Sequence, residues 1–147
     1  MGPKITEYKK GEVIFVEGSV DEAIYEIAYG EVGIVRNYNR ASEVELGSVR
    51  EGYFGENGLG EGVRRNATAV ANEDTGVIRL DAAAMKDYFA EYPVKLDILL
   101  QDVSARIRST DKKYLQACEY IARYMAAEEE GASQDPQLIA DMKALVQ

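Results

Sequence analysis

Between residues 12 and about 80 the chain alternates short apolar runs with single glycines: EVIFVEG, IYEIAYGEVGIVR, EVELGSV, ATAVA and GVIRL. Runs this short, rich in Val, Ile and Tyr and closed by turn residues at close spacing, predict the strands of a sandwich or roll. In the second run Tyr25, Ile27 and Tyr29 share one face, whereas Val32 and Ile34 fall on the other parity. The phase therefore changes at Gly30, as a turn or bulge makes it. Gly11, Gly18, Gly30, Gly47 and Gly52 read as turn residues with permissive φ.

Beyond residue 80 the apolar period lengthens. Asp81 is placed to cap a short helix, AAAMKDYFAEY, whose Met85, Tyr88 and Phe89 lie on one face. Tyr92-Pro93 then breaks the chain direction. From Val94 to about Ala127 there is neither Gly nor Pro, which predicts one long helix. Its positions Leu96, Leu100, Val103, Ile107, Thr110, Tyr114, Ala117, Ile121 and Tyr124 step by four and three in turn, a heptad seam. The seam predicts a homodimeric coiled coil through residues 94–127, with packing on the chain's own roll as the alternative. Cys118, beside the seam, reads as a small buried hydrophobe. After the polar stretch EEEGASQDP, Pro136 stands at a first helical position behind Asp135, and Leu138, Ile139, Met142, Leu145 and Val146 form one stripe. That helix either docks back on the domain or its dimer mate, or serves as a docking element for another protein. The expected organisation is a roll with short helices over 1–93, a long dimerisation helix over 94–127, and a linker with a short amphipathic helix over 128–147. The fold class is α+β: an antiparallel β-roll of jelly-roll (double-stranded β-helix) type followed by a long C-terminal helix.

Composition narrows the chemistry. At 147 residues, 46% hydrophobic and 29% charged, the chain suits one globular domain plus an appendage. No apolar run approaches the roughly 20 residues needed to cross a bilayer, so no membrane partner is expected. The N-terminus MGPKITEYKKGE lacks a signal-peptide core and the single Cys118 forms no internal disulfide, which together predict a cytoplasmic protein. The sequon at Asn66, Ala67 and Thr68 then reads as a chance match. Histidine is absent, which removes Ser/His/Asp triads, histidine bases and His-ligated metals. No enzyme, no catalytic residue and no metal are expected. A net charge of −9 argues against a nucleic-acid partner. Any anion must be caught locally.

One stretch is built for that: FGENGLGEGVRRNATA, residues 54–69. The dinucleotide pattern fails, because after Gly58 and Gly60 the third glycine arrives one residue early at Gly62, and a P-loop fails for want of GK[ST]. Backbone amides of a glycine-rich turn still cradle a phosphate, and Arg65 offers a planar bidentate partner for two of its oxygens. Glu56 cannot bind that phosphate; a carboxylate there needs donors, and a sugar hydroxyl is the natural one. A 3′,5′-cyclic nucleotide places a singly charged phosphate beside a free ribose hydroxyl.

FGE at 54–56 followed by RNATAVA at 65–71 resembles the phosphate-binding cassette of the cyclic-nucleotide-binding domains in catabolite-activator-type regulators, cyclic-nucleotide-dependent kinases and gated channels. The resemblance extends through about 110 residues. KKGEVIFVEG is similar to the opening strand, YEIAYGEVGIV to the strand pair around its glycine, and GVIRLDAAAMKDYFAEYP to the last strand and following helix. It implies cAMP or cGMP as ligand, with Glu56 accepting the ribose 2′-hydroxyl and Arg65 pairing with the cyclic phosphate. Amides around Gly55, Asn57 and Gly58 complete the cradle, and Asn66 and Ala67 follow near the base. Asn both donates and accepts, so Asn66 does not choose between adenine and guanine. Two positions depart from the family: an aliphatic residue is usual at Asn57, and proline is frequent at Arg64. Counted through Pro93, Thr110 aligns with a base-contacting hydroxyl of the long helix and also falls on the heptad seam, so ligand contact and seam packing are both open to it.

In activator-type members a helix-turn-helix domain of some seventy residues follows the long helix. Here about twenty residues follow and the stretch is acidic, so a cyclic-nucleotide sensor without that output is expected, signalling to an unknown downstream protein through dimer and C-terminal helix rearrangement. The alternative is a degenerate β-roll that binds nothing and serves as a structural or protein-interaction module.

Overall fold

The computed structural model describes residues 2–145, and the chain divides into two compact units at Asp102/Val103. In the first unit, eight strands among the described residues form two antiparallel four-stranded sheets: β1 (Ile5–Tyr8), β8 (Thr75–Asp81), β3 (Ala23–Tyr29) and β6 (Tyr53–Phe54) in one, and β2 (Val13–Phe15), β7 (Thr68–Ala71), β4 (Val32–Arg36) and β5 (Val44–Val49) in the other. Between the sheets lies a core of Phe15, Ala23, Tyr25, Ile27, Val32, Phe54, Ala69 and Val77. The rings of Phe15, Tyr25 and Phe54 pack with centroids 5.2–6.1 Å apart. This is the expected β-roll, followed in the chain by a long helix.

Helix α1 (Ala82–Glu91) begins where predicted, with the Asp81 carboxylate accepting from the Ala84 amide. It covers the outer face of β3. Ile24 is buried there, and Glu26 on the same face accepts hydrogen bonds from Tyr88 Oη of α1 and, at 2.8 Å, from Lys95 Nζ. Burial opposes the Lys95 charge, but the bonds to Glu26 and Tyr88 outweigh it and raise its pKa. Lys95 and the buried Leu99 belong to the first turns of α2 (Pro93–Glu129), and they tie this part of the helix to the roll.

Four details of the first unit differ from the sequence reading. Strand β1 precedes the run taken as the opening strand; its residues are mostly exposed, so it carries no apolar signal and is held by pairing with β8. Strand β6 is only two residues long and is defined by pairing with β3. The register of β3 slips between Ile27 and Tyr29, ahead of Gly30; Gly30 itself makes a turn at φ 91°, where a Cβ would lie 2.7 Å from the Asp74 carbonyl oxygen. Gly47 lies inside β5, beside a register shift between Ile34 and Val35, rather than in a turn.

In the second unit α2 continues to Glu129, the chain reverses through Gly131 at φ 64°, and α3 (Pro136–Leu145) follows. Asp135 Oδ1 accepts from the Gln137 amide, and Gln134 Nε2 donates to the Tyr124 carbonyl at 3.1 Å. Leu138 is buried; Val146, the last member of the expected stripe, lies outside the described residues. Along the seam Ile107, Tyr114 and Ile121 stand exposed in the single chain. Cys118 is exposed as well, contrary to expectation, because it sits beside a seam that nothing in the single chain covers there. No helix among the described residues is long and apolar enough to cross a membrane.

Candidate functional site

The glycine-rich stretch leaves β6 through Gly55, whose φ of 84° is a left-handed conformation. A single 3-10 turn over Glu56–Gly58 follows, closed by Gly58 N–H donating to Gly55 O at 3.1 Å and Leu59 N–H to Glu56 O at 3.1 Å. The Gly58 amide is thereby spent inside the turn. The Asn57 amide has no partner among the described residues and remains a donor, as the early N–H groups of a helical turn do.

The loop is strapped to the segment between β2 and β3. Arg65 N–H donates to Ser19 O at 2.8 Å, Gly18 N–H to Arg65 O at 2.7 Å, and Gly62 N–H to Glu22 Oε1 at 3.1 Å. Arg64 turns outward and donates from Nη1 to Gly18 O at 2.8 Å.

Arg65 turns inward and is 3% exposed. Its Nη1 donates to Gly55 O, and its Nη2 donates to Ala23 O at 2.6 Å and to Asp21 Oδ2 at 3.2 Å. The guanidinium carbon lies 4.1 Å from the centroid of the Phe15 ring, a cation–π contact. Its Nε is buried without a hydrogen-bond partner. The glycines are required by this packing: a Cβ on Gly55 would stand 2.9 Å from Arg65 Nη1, and one on Gly58 would stand 2.5 Å from Arg65 Cζ.

Asp21 is the hub behind the arginine. Its Oδ1 also receives Arg79 Nη2 at 2.6 Å and its Oδ2 the Tyr25 hydroxyl at 2.5 Å. Burial works against the Asp21 charge, yet the bonds from Tyr25, Arg79 and Arg65 prevail and hold its carboxyl below the usual value. Burial first, and then the bond to Asp21, push the Tyr25 hydroxyl up to about 12. A buried cation with an unspent donor, beside an open amide and under a glycine turn, is chemistry for holding an anion.

Of the residues singled out in the sequence, Gly55, Gly58 and Arg65 are brought into contact. Glu56 is half-buried in the turn, Asn57 and Asn66 are exposed, and Ala67 is buried beside the start of β7. Thr110 is exposed on the α2 segment of the second unit. Sequence reasoning missed Asp21, which pairs with Arg65 from 44 residues upstream, and Arg79 and Tyr25, which bond to the Asp21 carboxylate. Their only local signal is an acidic pair, Asp21-Glu22, in a loop between strands.

The family model described as "Cyclic nucleotide-binding domain" matches residues 5–92. The chain is 32% identical over 108 residues to the cyclic AMP receptor protein of Thermus thermophilus, covering 71% of this chain and 49% of that protein. It is 29% identical over 111 residues to the global nitrogen regulator of Synechococcus elongatus, covering 74% of this chain and 50% of that one. The chain thus spans about half the length of these relatives. The crystal structure of the Thermus thermophilus catabolite activator protein superposes with a TM-score of 0.69 at 27% identity, over 82% of this chain and 57% of that one.

Proposed function

The chain belongs to the cyclic nucleotide-binding domain family, and from this we propose that it is a regulatory module whose ligand is cAMP or cGMP. Arg65 pairs with the cyclic phosphate, the open Asn57 amide and the Gly55 turn complete the cradle, and Glu56 accepts the ribose 2′-hydroxyl. Asn66 and Ala67 flank the base, with Thr110 as a further base contact from the long helix. The observation that carries this reading is the buried Arg65 with its unpaired Nε beneath the glycine turn. An orphaned buried donor costs about 1–3 kcal/mol, and a phosphate oxygen relieves it.

The signal passes through residues 94–127 as a homodimeric seam. Exposed Ile107, Tyr114 and Ile121 at heptad spacing support that pairing. The ligand shifts the packing of this helix only by its differential affinity for the two arrangements. The reading places the protein in the cytoplasm, with no enzymatic step, no metal and no nucleic acid contact.

One observation favours a second reading, an empty roll serving as an interaction module: Asp21 and two carbonyls already occupy three donors of Arg65. Thermal-shift measurements with cAMP, cGMP and uncyclised 5′-AMP separate the two. Stabilisation by a cyclic nucleotide and little by 5′-AMP is the expected result; no stabilisation by any of them favours the empty roll.

A further inference from the structure

On the outer face of the β2-β7-β4-β5 sheet lies a recess of about 320 Å³, lined by residues that the nucleotide reading leaves unused. Its apolar lining is Val13, Val16 and Tyr38, and its polar lining includes Glu17, Arg40 and Thr68. That volume is at the lower end of the about 300–1,000 Å³ typical of small-molecule sites.

The recess is held open by its own hydrogen bonds. Asn37 and Asn39 take left-handed conformations at φ 54° and 60°. The Asn37 amide donates to Glu17 Oε2 at 2.8 Å, and the Asn39 amide donates to Glu43 Oε2 at 2.7 Å. Across the recess the Glu17 amide donates to Thr68 Oγ1 at 2.9 Å.

Three polar groups remain unspent. Thr68 is 3% exposed, and its oxygen accepts from Glu17 while its own O–H has no acceptor among the described residues. The Arg40 guanidinium has no ion pair among the described residues. Glu17 keeps Oε1 free of any hydrogen bond there, since only Oε2 is engaged. A simple carboxylate would meet Arg40 and Thr68 but face Glu17; a simple amine would satisfy Glu17 and leave Arg40 and Thr68 unmet. A zwitterion with an apolar body satisfies all three.

We infer that this recess is a second ligand site, which binds a free α-amino acid with an apolar side chain. The carboxylate is received by Arg40 and the Thr68 hydroxyl, the ammonium group by Glu17, and the side chain by Val13, Val16 and Tyr38. Nothing in this assignment depends on the nucleotide.

Amide chemical-shift titrations of the intact ¹⁵N-labelled chain, with no nucleotide present, test it using three probes: L-leucine, 4-methylpentanoate, which lacks the ammonium group, and 3-methylbutylamine, which lacks the carboxylate. L-leucine should give saturable shifts centred on residues 13–18, 37–40 and 68, and each of the other two should bind at least about tenfold more weakly. Glu17→Gln, which keeps an acceptor for the Asn37 amide, and the exposed Arg40→Gln should each weaken leucine binding about tenfold in a chain whose spectrum stays folded. The assignment is overturned by the absence of a saturable leucine shift at these residues, by either single-charge probe matching leucine, or by unchanged leucine affinity in both variants.

Discussion

Asp21 Oδ2 lies 3.2 Å from Arg65 Nη2, and the two side chains, 18% and 2% exposed, form an ion pair that reaches under the glycine loop. The pair spans 44 residues of sequence. It fixes where the buried guanidinium stands before any ligand arrives, with Arg79 and Tyr25 holding the carboxylate from its other sides.

Removing the hub should therefore be felt by the whole roll. Asp21→Ala leaves Arg65 buried with one fewer acceptor and should cost about 1.5–3 kcal/mol, the worth of a hydrogen bond to a charged group. Urea denaturation of the variant beside the parent measures it; an unchanged midpoint at unchanged slope means that the pair contributes nothing.

The same carboxylate gives a pH dependence of definite sign. The folded pKa of Asp21 is depressed, so the unfolded state binds its proton first. Stability is fully present above the unfolded value of about 3.9 and is lost as pH falls through the folded value. Unfolding midpoints taken from neutral pH down into this acid range should fall in the parent, with part of that fall missing in Asp21→Asn. Parallel curves for the two proteins would remove Asp21 from this role.

The Gly58 contact predicts coupling. Gly58→Ala drives a Cβ into the Arg65 guanidinium and should destabilise by about 1–3 kcal/mol, as overpacking does. In an Arg65→Ala background the obstacle is gone, so the same substitution should cost much less. A double-mutant cycle by thermal unfolding reads the difference; additive effects contradict direct contact.

Pairing through the long helix is tested by charge on the seam. Light scattering should report twice the mass of one chain for the parent, and one chain for the double variant Ile107→Asp, Ile121→Asp at the same micromolar concentration. A monomeric parent would end the proposal of a homodimer.

What could be read from the sequence was whatever has a local cause. Asp81 and Pro136 mark helix starts because capping and fixed φ act within one turn. The Gly55 loop stood out because left-handed backbone selects glycine. Elements defined by partners stayed hidden: β1 and β6 are strands only because β8 and β3 pair with them. The bulge in β3 falls at Ala28, a residue with no bulge signature. At the site, Arg65 was legible from its spacing to Glu56, whereas its engagement with Asp21, Ala23 O and the Phe15 ring is a product of tertiary packing. The charge of −9 left any anion to be caught locally, and the buried Arg65 guanidinium against Gly55 is the positive charge at the loop.

Titration calorimetry of the intact chain with cAMP and with cGMP, in the parent and in Arg65→Ala, bears most directly on the proposed ligand. Saturable binding of at least one of them is expected in the parent. Loss of the guanidinium should weaken it by about tenfold to over a hundredfold, the equivalent of about 1.5–3 kcal/mol of charge-assisted hydrogen bonding. Equal affinity in parent and variant, or no binding of either nucleotide by the parent, would contradict the assignment.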